Sequence, residues 1–499
     1  MNAFSRRTLL SWSAAAMGTA AFSRPWMGAA IAAEPEATVL RVETRTIEIN
    51  RKPAKVFGLY QPNGTWGMVS QAGRFRVRLE NRSDAPTLIH WHGLLPPYGQ
   101  DGVPDMPQPL LASGQSYDYD FPLDAPGTHW MHAHTLQEQQ LLAAPLIVTD
   151  AGDAALDEQP VAVLFSDFSF RCPDEILAGL RHTTGKGKMA THGATSGGGG
   201  TMSAMPGMAQ GSMAGHNMPG MPAMAGAGMA PDINDIDYDA YLANDRTLND
   251  PAVFRVEPGG LVRLRLINGG TATGFWVELG ALAGEAIAVD GNPIVPVTGH
   301  SFPLGMGQRI DIRVRLPKSE GAWPILALRE GGTERTGFVL ATKRGAVRRI
   351  EATGAKQAAP LDLSFESGLR LAKLVPEKAV SRHDTVVLGG DMAAYVWTLD
   401  GQAWPQHRPL AVSAGERIEI TIRNQSMMRH PMHLHGHHFQ VVAIDGRRLP
   451  GAVRDTVWVP PAREVTVAFD ANNPGEWAIH CHHLYHMATG MMTTISYAA

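Results

Sequence analysis

Three stretches of the chain repeat one pattern of hydrophobic and polar positions. Each opens with a glycine, alternates between apolar and polar residues and closes on an asparagine, as residues 73–81, 259–268 and 415–424 do. Alternation with a period of two is typical of a strand that buries one face. The predicted buried residues are Phe75, Val77, Leu79, Val262, Leu264, Leu266, Ile418, Ile420 and Ile422. Any β-sandwich contains such a strand, but three copies favour an internal triplication.

The three copies differ in the histidines that follow them. The first and third copies are followed by His-x-His-Gly, at 90–93 and 433–436, and later by a second histidine motif after a Pro-Gly pair. Ala133 stands in the first copy where Cys481 stands in the third. The middle copy has a comparable frame over 305–316 but no His-x-His. It is therefore predicted to be a copy without a metal.

Length and composition favour several all-β domains. The chain has 499 residues, and at about 100 to 200 residues per domain it has room for about three. Its 53 glycines and 35 prolines favour short strands joined by turns over a helical bundle. The net charge of -4 lacks the basic excess typical of proteins that bind nucleic acid, so no nucleic-acid partner is expected.

The first 33 residues have the features of an export signal. A twin-arginine pattern at 5–10 precedes an apolar stretch at 9–22 and small residues at 30–33. The alternative is a membrane anchor, but a span needs about 20 apolar residues and Arg24 interrupts this stretch. We expect a cleaved twin-arginine signal at 1–33, a periplasmic location and a mature protein without a membrane span.

Histidine and methionine are unusually frequent and cysteine is scarce. The chain has 20 His and 23 Met but only 2 Cys, too few for a disulfide framework, and this balance indicates soft-metal chemistry. A segment at 183–231 rich in Gly, Ala and Ser is predicted to be a mobile loop in the second domain. Its methionines are Met189, Met202, Met205, Met208, Met213, Met218, Met221, Met224 and Met229. A plain linker is the alternative, but thioethers favour Cu(I), so we expect copper capture.

Four histidine motifs carry the strongest signal. Residues i and i+2 of a strand share a face, so each His-x-His presents two imidazoles to one side. The eight histidines are His90, His92, His132, His134, His433, His435, His480 and His482. Eight imidazoles suit three copper ions. The remaining His430, Cys481, His486 and Met491 match a trigonal blue-copper site with a long axial thioether.

The order of these motifs resembles that of the multicopper oxidases over essentially the whole mature chain. The motifs are HWHG, HxH, HPMHLHG and HCHxxxHxxxxM. The resemblance implies cupredoxin-like Greek-key sandwiches, four copper ions (one type 1, one type 2 and two type 3), one-electron oxidation of substrate and reduction of O2 to water. It also implies that electrons pass from Cys481 to the cluster through its neighbours His480 and His482.

The resemblance also implies a role for each ligand. His90 and His433 would hold the type 2 copper, and Asp101 would relay protons as the family's buried carboxylate. The ligands of one type 3 copper would be His92, His132 and His480, and those of the other would be His134, His435 and His482. Many relatives carry an acid directly after the last type 1 histidine, whereas Met487 stands here. A proton route that depends on that acid is not expected.

Within the family, the sequence is most similar to bacterial copper-resistance oxidases with cuprous oxidase activity. Met427 and Met428, just before His430, support this and are candidate Cu(I) ligands together with the methionines at 202–229. We expect three cupredoxin-like domains at 34–150, 151–350 and 351–499. The expected function is periplasmic oxidation of Cu(I) by O2 in copper tolerance.

Two other functions stay open at this point: a laccase-like oxidase of small phenols and a copper store without turnover. A monomer is expected. Cys172 is predicted to be an inert packed thiol, and Trp130 and Trp477 are predicted to be core residues. Sequence spacing does not decide whether His437, His438 and His483 are exposed or support neighbouring ligands.

Overall fold

A computed structural model describes residues 37–183, 233, 235–373 and 378–498. The predicted signal at 1–33 and the methionines at 189–229 lie outside these described residues. From Thr38 onward the chain forms one compact unit. Within it, successive segments of the chain form three pairs of β-sheets, so the all-β prediction is confirmed.

The first sandwich consists of two four-stranded sheets, in the orders β2-β1-β4-β6 and β3-β8-β7-β5. Its apolar core lies between them and includes the predicted row Phe75, Val77 and Leu79. Its strands are β1 (Thr38–Ile49), β2 (Lys52–Tyr60), β3 (Met68–Gln71), β4 (Gly73–Asn81), β5 (Ile89–His90), β6 (Ser116–Leu123), β7 (Gly127–Ala133) and β8 (Ala143–Thr149).

The middle sandwich pairs a six-stranded sheet, β10-β9-β12-β17-β14-β15, with a five-stranded one, β11-β19-β18-β13-β16. One helix, α1 (Pro173–Thr183), follows its first strand. The strands are β9 (Glu158–Phe168), β10 (Ala240–Ala243), β11 (Ala252–Arg255), β12 (Leu261–Asn268), β13 (Phe275–Glu278), β14 (Gly284–Val289), β15 (Asn292–Gly299), β16 (Ser301–Leu304), β17 (Arg309–Arg315), β18 (Ala322–Arg329) and β19 (Arg335–Ala341).

The third sandwich pairs a seven-stranded sheet, β21-β20-β23-β29-β25-β26 with β27 beside β25, with the sheet β22-β31-β30-β24-β28. This part of the chain also contains two short helices, α2 (Ser364–Gly368), before the first strand, and α3 (Leu484–Ala488), between β30 and β31. The strands are β20 (Arg382–Asp391), β21 (Val396–Leu399), β22 (Leu410–Val412), β23 (Arg417–Asn424), β24 (His430–Leu434), β25 (Phe439–Ile444), β26 (Arg447–Arg448), β27 (Val453–Arg454), β28 (Thr456–Val459), β29 (Glu464–Asp470), β30 (Glu476–Cys481) and β31 (Met492–Tyr497).

The three repeated strands occupy equivalent positions. Each of β4, β12 and β23 lies between a parallel neighbour (β1, β9 or β20) and an antiparallel one (β6, β17 or β29). The closing asparagines Asn81, Asn268 and Asn424 are buried. The side-chain amide of each donates to one backbone carbonyl in the loop that follows and to a second in a segment 30–36 residues further along the chain. These shared contacts support the predicted triplication, since in each copy the asparagine pairs backbone carbonyls of two other segments that would otherwise need another partner.

The polar face of the repeated strands departs from the prediction at two positions. Arg265 in β12 and Glu419 in β23 are buried, although the alternation places them opposite the apolar row. Each is paired: Arg265 with Asp311, and Glu419 with Arg448. A buried charge is tolerated when an opposite charge and hydrogen bonds accompany it.

Two expectations about single residues have opposite outcomes. Trp130 and Trp477 are fully buried, as predicted. The prediction for Cys172 is wrong, because its side chain is exposed. Cys172 directly precedes α1, and its Sγ lies 3.8 Å from the carboxylate of Asp174 rather than in the core. Among the described residues, no helix is both long and apolar enough to cross a bilayer.

Candidate metal centre

Two pairs of antiparallel strands bring the histidine motifs together. In the first sandwich, β5 pairs with β7 and places His90 opposite His132. In the third, β24 pairs with β30 and places His433 opposite His480. The second histidine of each motif lies just beyond the strand end: His134, His435 and His482 follow it directly, and His92 follows after Trp91. The pairing therefore explains why four separate motifs converge.

The eight imidazoles form one buried cluster between the first and third sandwiches. Nitrogen atoms of different rings approach to 2.9–3.4 Å: the Nε2 atoms of His435 and His480 are 2.9 Å apart, and those of His134 and His480 are 3.2 Å apart. The Nε2 atoms of His90 and His433 are 3.4 Å apart, as are His92 Nδ1 and His132 Nε2. The cluster contains all eight residues that the sequence predicted for it.

The implied division of the type 3 ligands is wrong at two positions. His480 lies with His134 and His435, with ring centroids 4.9 and 5.0 Å away, rather than with His92 and His132. His482 lies with those two instead, 5.0 Å from each ring. His480 is the strand residue paired with His433, whereas His482 follows the strand end, where its backbone N–H donates to the carbonyl of Pro431. The spacing of the motif along the chain could not show which of His480 and His482 joins which pair of histidines.

The arrangement fits metal ions. Metal–nitrogen bonds of about 2 Å hold two ligand nitrogens roughly 3–3.5 Å apart, which matches the spacing of these rings. Burial lowers the pKa of His480 to about 4 and that of His482 to about 3, so both are neutral and have a lone pair available at neutral pH. Within the described chain the buried Nε2 atom of His482 has no hydrogen-bond partner, as expected of an atom reserved for a metal.

A second group of donors lies inside the third sandwich. The Nδ1 atoms of His430 and His486 are 3.1 Å apart, and Cys481 Sγ lies 3.5 and 3.7 Å from them. All three side chains are buried, and so is Met491, whose carbonyl accepts the backbone N–H of Cys481. Burial raises the pKa of the Cys481 thiol, so a metal must displace its proton. Two imidazoles, one thiolate and a neighbouring thioether match the donor set of a blue-copper site.

Asp101, the predicted proton-relay residue, contacts two histidines of the cluster. Its Oδ2 accepts a hydrogen bond from His435 Nδ1 at 2.8 Å, and its carbonyl accepts one from His90 Nδ1 at 2.9 Å. The side chain is 2% exposed, and its Oδ1 has no hydrogen-bond partner within the described chain. Asp101 therefore orients one ligand from each sandwich and keeps a carboxylate oxygen beside the cluster.

Three further carboxylates contact ligand histidines and were not predicted from the sequence. Asp455 Oδ1 lies 3.1 Å from His92 Nε2, Glu138 Oε2 lies 3.0 Å from His132 Nδ1, and Asp235 Oδ2 lies 3.3 Å from His486 Nε2. Metal-binding histidines commonly donate their second N–H to a carboxylate. That rule predicts such partners but not their positions, because none of the three lies within a histidine motif.

The remaining predicted residues lie in different environments. Met427 is 46% exposed, whereas Met428 is 2% exposed and belongs to the core of the third sandwich, so the two are not a pair of exposed thioethers. His483 stacks on His486 with ring centroids 3.7 Å apart. His437 and His438 bond to Tyr497 and to the carbonyl of Gly93. Met487 packs half-buried against the same core as Met428.

Comparison with known proteins gives one consistent result. Three multicopper oxidase models match residues 68–153, 206–346 and 379–498. The multicopper oxidase MmcO of Mycobacterium tuberculosis is 31% identical over 442 residues, which cover 84% of this chain and 79% of that protein. A copper resistance protein A homolog of Pseudomonas syringae pv. tomato is 25% identical over 84% of this chain and 85% of its own length. The crystal structure of the laccase from Botrytis aclada shares the fold, with a TM-score of 0.69 and 21% identity over 92% of this chain and 88% of that one.

Proposed function

The chain belongs to the multicopper oxidase family, and from this premise we propose that it oxidises Cu(I) with O2 in the periplasm and so protects the cell against copper. The observation that carries the proposal is the position of Cys481. Its sulfur faces His430 and His486, while its sequence neighbours His480 and His482 belong to the eight-histidine cluster. One short stretch of backbone therefore joins the two groups of donors.

We assign four copper sites to these donors. His430, Cys481 and His486 would hold the type 1 copper with Met491 as the axial thioether, and His90 and His433 would hold the type 2 copper. The type 3 ligands follow the observed grouping, with His92, His132 and His482 on one ion and His134, His435 and His480 on the other. Bound copper would supply one-electron redox chemistry and a site at which O2 is reduced to water.

The chain's own residues supply the path and the protons. The backbone of Cys481 connects the thiolate to both neighbouring imidazoles, so electrons have a covalent route of a few bonds. Asp101 has one carboxylate oxygen that makes no hydrogen bond within the described chain, 3.4 Å from His90 Nδ1, and is the group that we assign to proton delivery. Met487 cannot take that role, since a thioether neither donates nor exchanges protons.

Two features support Cu(I) as the reductant. Soft thioethers suit Cu(I), and the exposed Met427 stands three residues before the type 1 ligand His430. The segment 189–229 contains nine further methionines and joins the chain between α1 and Asp235, whose carboxylate contacts His486.

Export to the periplasm is supported by the twin-arginine pattern at 5–10 and by the similarity to a protein named for copper resistance.

Steady-state oxygen uptake with Cu(I) and with a phenol tests the substrate. Deleting residues 189–229 should weaken Cu(I) oxidation mainly at low copper and leave phenol oxidation unchanged or faster. Met427→Leu should lower Cu(I) turnover even at high copper, whereas Met428→Leu is the matched control because that side chain is buried. Equal losses on both substrates, or no loss on either, would contradict Cu(I) as the selected substrate.

A further inference from the structure

We propose that the middle sandwich, whose sequence has no His-x-His motif, positions the ligands of the neighbouring cluster through the turn at 305–309. The positioning residue is Arg309, which acts through Asp455 on His92 and His433. This inference rests on the proposed copper centre. It gives a role to the segment at 305–316, which belongs to the middle copy, the one whose sequence predicts no metal.

Arg309 is completely buried and its guanidinium is fixed by all three sandwiches. Its Nη1 and Nη2 donate to the two carboxylate oxygens of Asp455 at 2.7 and 2.5 Å, and its Nε donates to the carbonyl of Thr128 at 3.2 Å. Nη1 also donates to the carbonyl of Gly307 within its own turn. A bidentate arginine–carboxylate pair fixes orientation as well as distance, which a lysine cannot reproduce.

Asp455 transmits that orientation to one ligand from each side of the cluster. Its Oδ1 lies 3.1 Å from His92 Nε2, and its backbone carbonyl accepts a hydrogen bond from His433 Nδ1 at 2.8 Å. The two imidazoles stack with their centroids 3.8 Å apart and their planes 14° apart. His92 and His433 belong to different copper sites in our assignment, so Asp455 places one ligand through its carboxylate and the other through its backbone carbonyl. The hydroxyl of Thr456, which donates to the same carboxylate at 2.9 Å, lies 3.2 Å from both imidazoles.

The same turn also packs directly against the cluster. Gly307 has a φ of +76°, and a Cβ there would lie 2.9 Å from Cδ2 of His482 and 3.3 Å from Cε1 of His92. This approach leaves no room for a side chain. The turn therefore confines two imidazoles by contact while Arg309 orients one of them through Asp455.

Removing Arg309 has a defined consequence. The Asp455 carboxylate would remain buried without its charge partner, a situation that strongly destabilises the local arrangement. The carboxylate would have to move or become protonated, and His92 Nε2 would keep only the hydroxyl of Thr456, 3.2 Å away, which itself donates to Asp455. Loss of a hydrogen-bond partner of a metal-binding histidine typically weakens metal affinity or activity about 10- to 100-fold.

The test uses the copper-loaded full chain and measures copper retention and the electron paramagnetic resonance of the type 2 copper. We expect Arg309→Lys to release cluster copper at a chelator concentration roughly 10- to 100-fold lower than the wild type. Its type 2 signal should change, while the blue absorption of the type 1 site stays unchanged per chain. That absorption also reports whether the third sandwich is folded.

Arg265→Lys is the matched control. Arg265 is buried on the same sheet, pairs with Asp311 and bonds to Thr128 Oγ1. It should retain the native type 2 signal, because the charged and polar groups that it contacts, Asp153, Asp311 and Thr128, are not cluster ligands. If Arg309→Lys keeps native copper retention and a native signal, or if Arg265→Lys loses both equally, the inference is overturned.

A second variant tests the inference if Arg309→Lys does not fold. Asp455→Asn keeps the size of the side chain but weakens the pairing with Arg309, and it should give the same altered type 2 signal. Native copper retention in that variant would overturn the inference. A wild-type protein that binds no cluster copper would instead contradict the proposed function, and the inference with it.

Discussion

At the scale of single residues, the donors are held by partners that fix each ring. Cys481 illustrates this, since its sulfur also accepts the backbone N–H of His483 at 3.4 Å, and His486 is packed between His483 and Trp397. Ser426 Oγ lies 2.7 Å from the outer nitrogen of His430. These contacts constrain the orientation of the donors, which lowers the reorganisation that metal binding requires.

Replacing Cys481 with Ser should abolish the blue absorption and the oxidase activity while the cluster keeps its copper. The thiolate is the expected source of both the visible absorption and the electron route, and a hydroxyl supplies neither. Visible spectroscopy and copper analysis check this, with about three coppers per chain expected in the variant on the type 1 assignment. Intense visible absorption in Cys481→Ser would contradict the assignment of the thiolate.

Asp101→Asn should slow turnover about 100-fold with every reductant, because a well-placed general acid accelerates proton transfer by roughly 100-fold or more. An amide oxygen can still accept the hydrogen bond from His435, so copper content should stay at the wild-type level. Oxygen uptake at saturating Cu(I) and at saturating phenol gives the measurement. Unchanged rates would remove Asp101 from proton delivery, and loss of copper would make its role structural.

At the scale of elements, sequence periodicity identified the strands but not their partners. The rows of Phe75 and Ile418 are buried as the alternation predicts, because a period of two is enough to assign a face. The two-residue strand β5 carries no such signal, although it places His90. The division of the ligands failed for a related reason, since whether His480 or His482 faces a given ring depends on where β30 ends.

One turn between elements offers a test of close packing. Gly436 follows His435 with a φ of +65°, and a Cβ there would lie 2.3 Å from the ring of Trp477. Gly415 has a φ of +90° but open space around its Cα among the described residues. Gly436→Ala should therefore lower the free energy of unfolding by about 1–3 kcal/mol more than Gly415→Ala, the usual cost of overpacking. Urea denaturation measures both, and equal losses would contradict the packing argument.

At the scale of the whole molecule, the cluster joins the first and third sandwiches, whereas the type 1 donors all belong to the third. The motifs predicted this division, because their order along the chain places the ligands in two copies. The supporting contacts could not be predicted, since Arg309, Glu138 and Asp455 reach the histidines only in the folded chain. The positions of Arg309 and Asp455 depend on how the three sandwiches pack, and that of Glu138 depends on the turn after β7.

Removing copper should lower the melting temperature while the β-sheet signal in circular dichroism remains, because the three apolar cores contain none of the cluster histidines. When the free metal concentration is 100 times the dissociation constant of one site, binding stabilises the folded state by about 2.7 kcal/mol. Cys481→Ser should keep most of the copper-dependent stabilisation, since its cluster ligands are intact. A melting temperature that does not respond to a chelator, or a shift lost entirely in Cys481→Ser, would contradict the joining role of the cluster.

The stoichiometry of oxygen consumption tests the central proposal most directly. The copper-loaded chain, supplied with Cu(I) in air, should consume one O2 for about four Cu(I) oxidised and release no hydrogen peroxide, because O2 is reduced fully to water only when four electrons reach the cluster. Under the same conditions, Cys481→Ser should consume oxygen no faster than Cu(I) does without the protein. Consumption of one O2 for about two Cu(I) with accumulation of peroxide, or equal rates in the wild type and Cys481→Ser, would contradict the account.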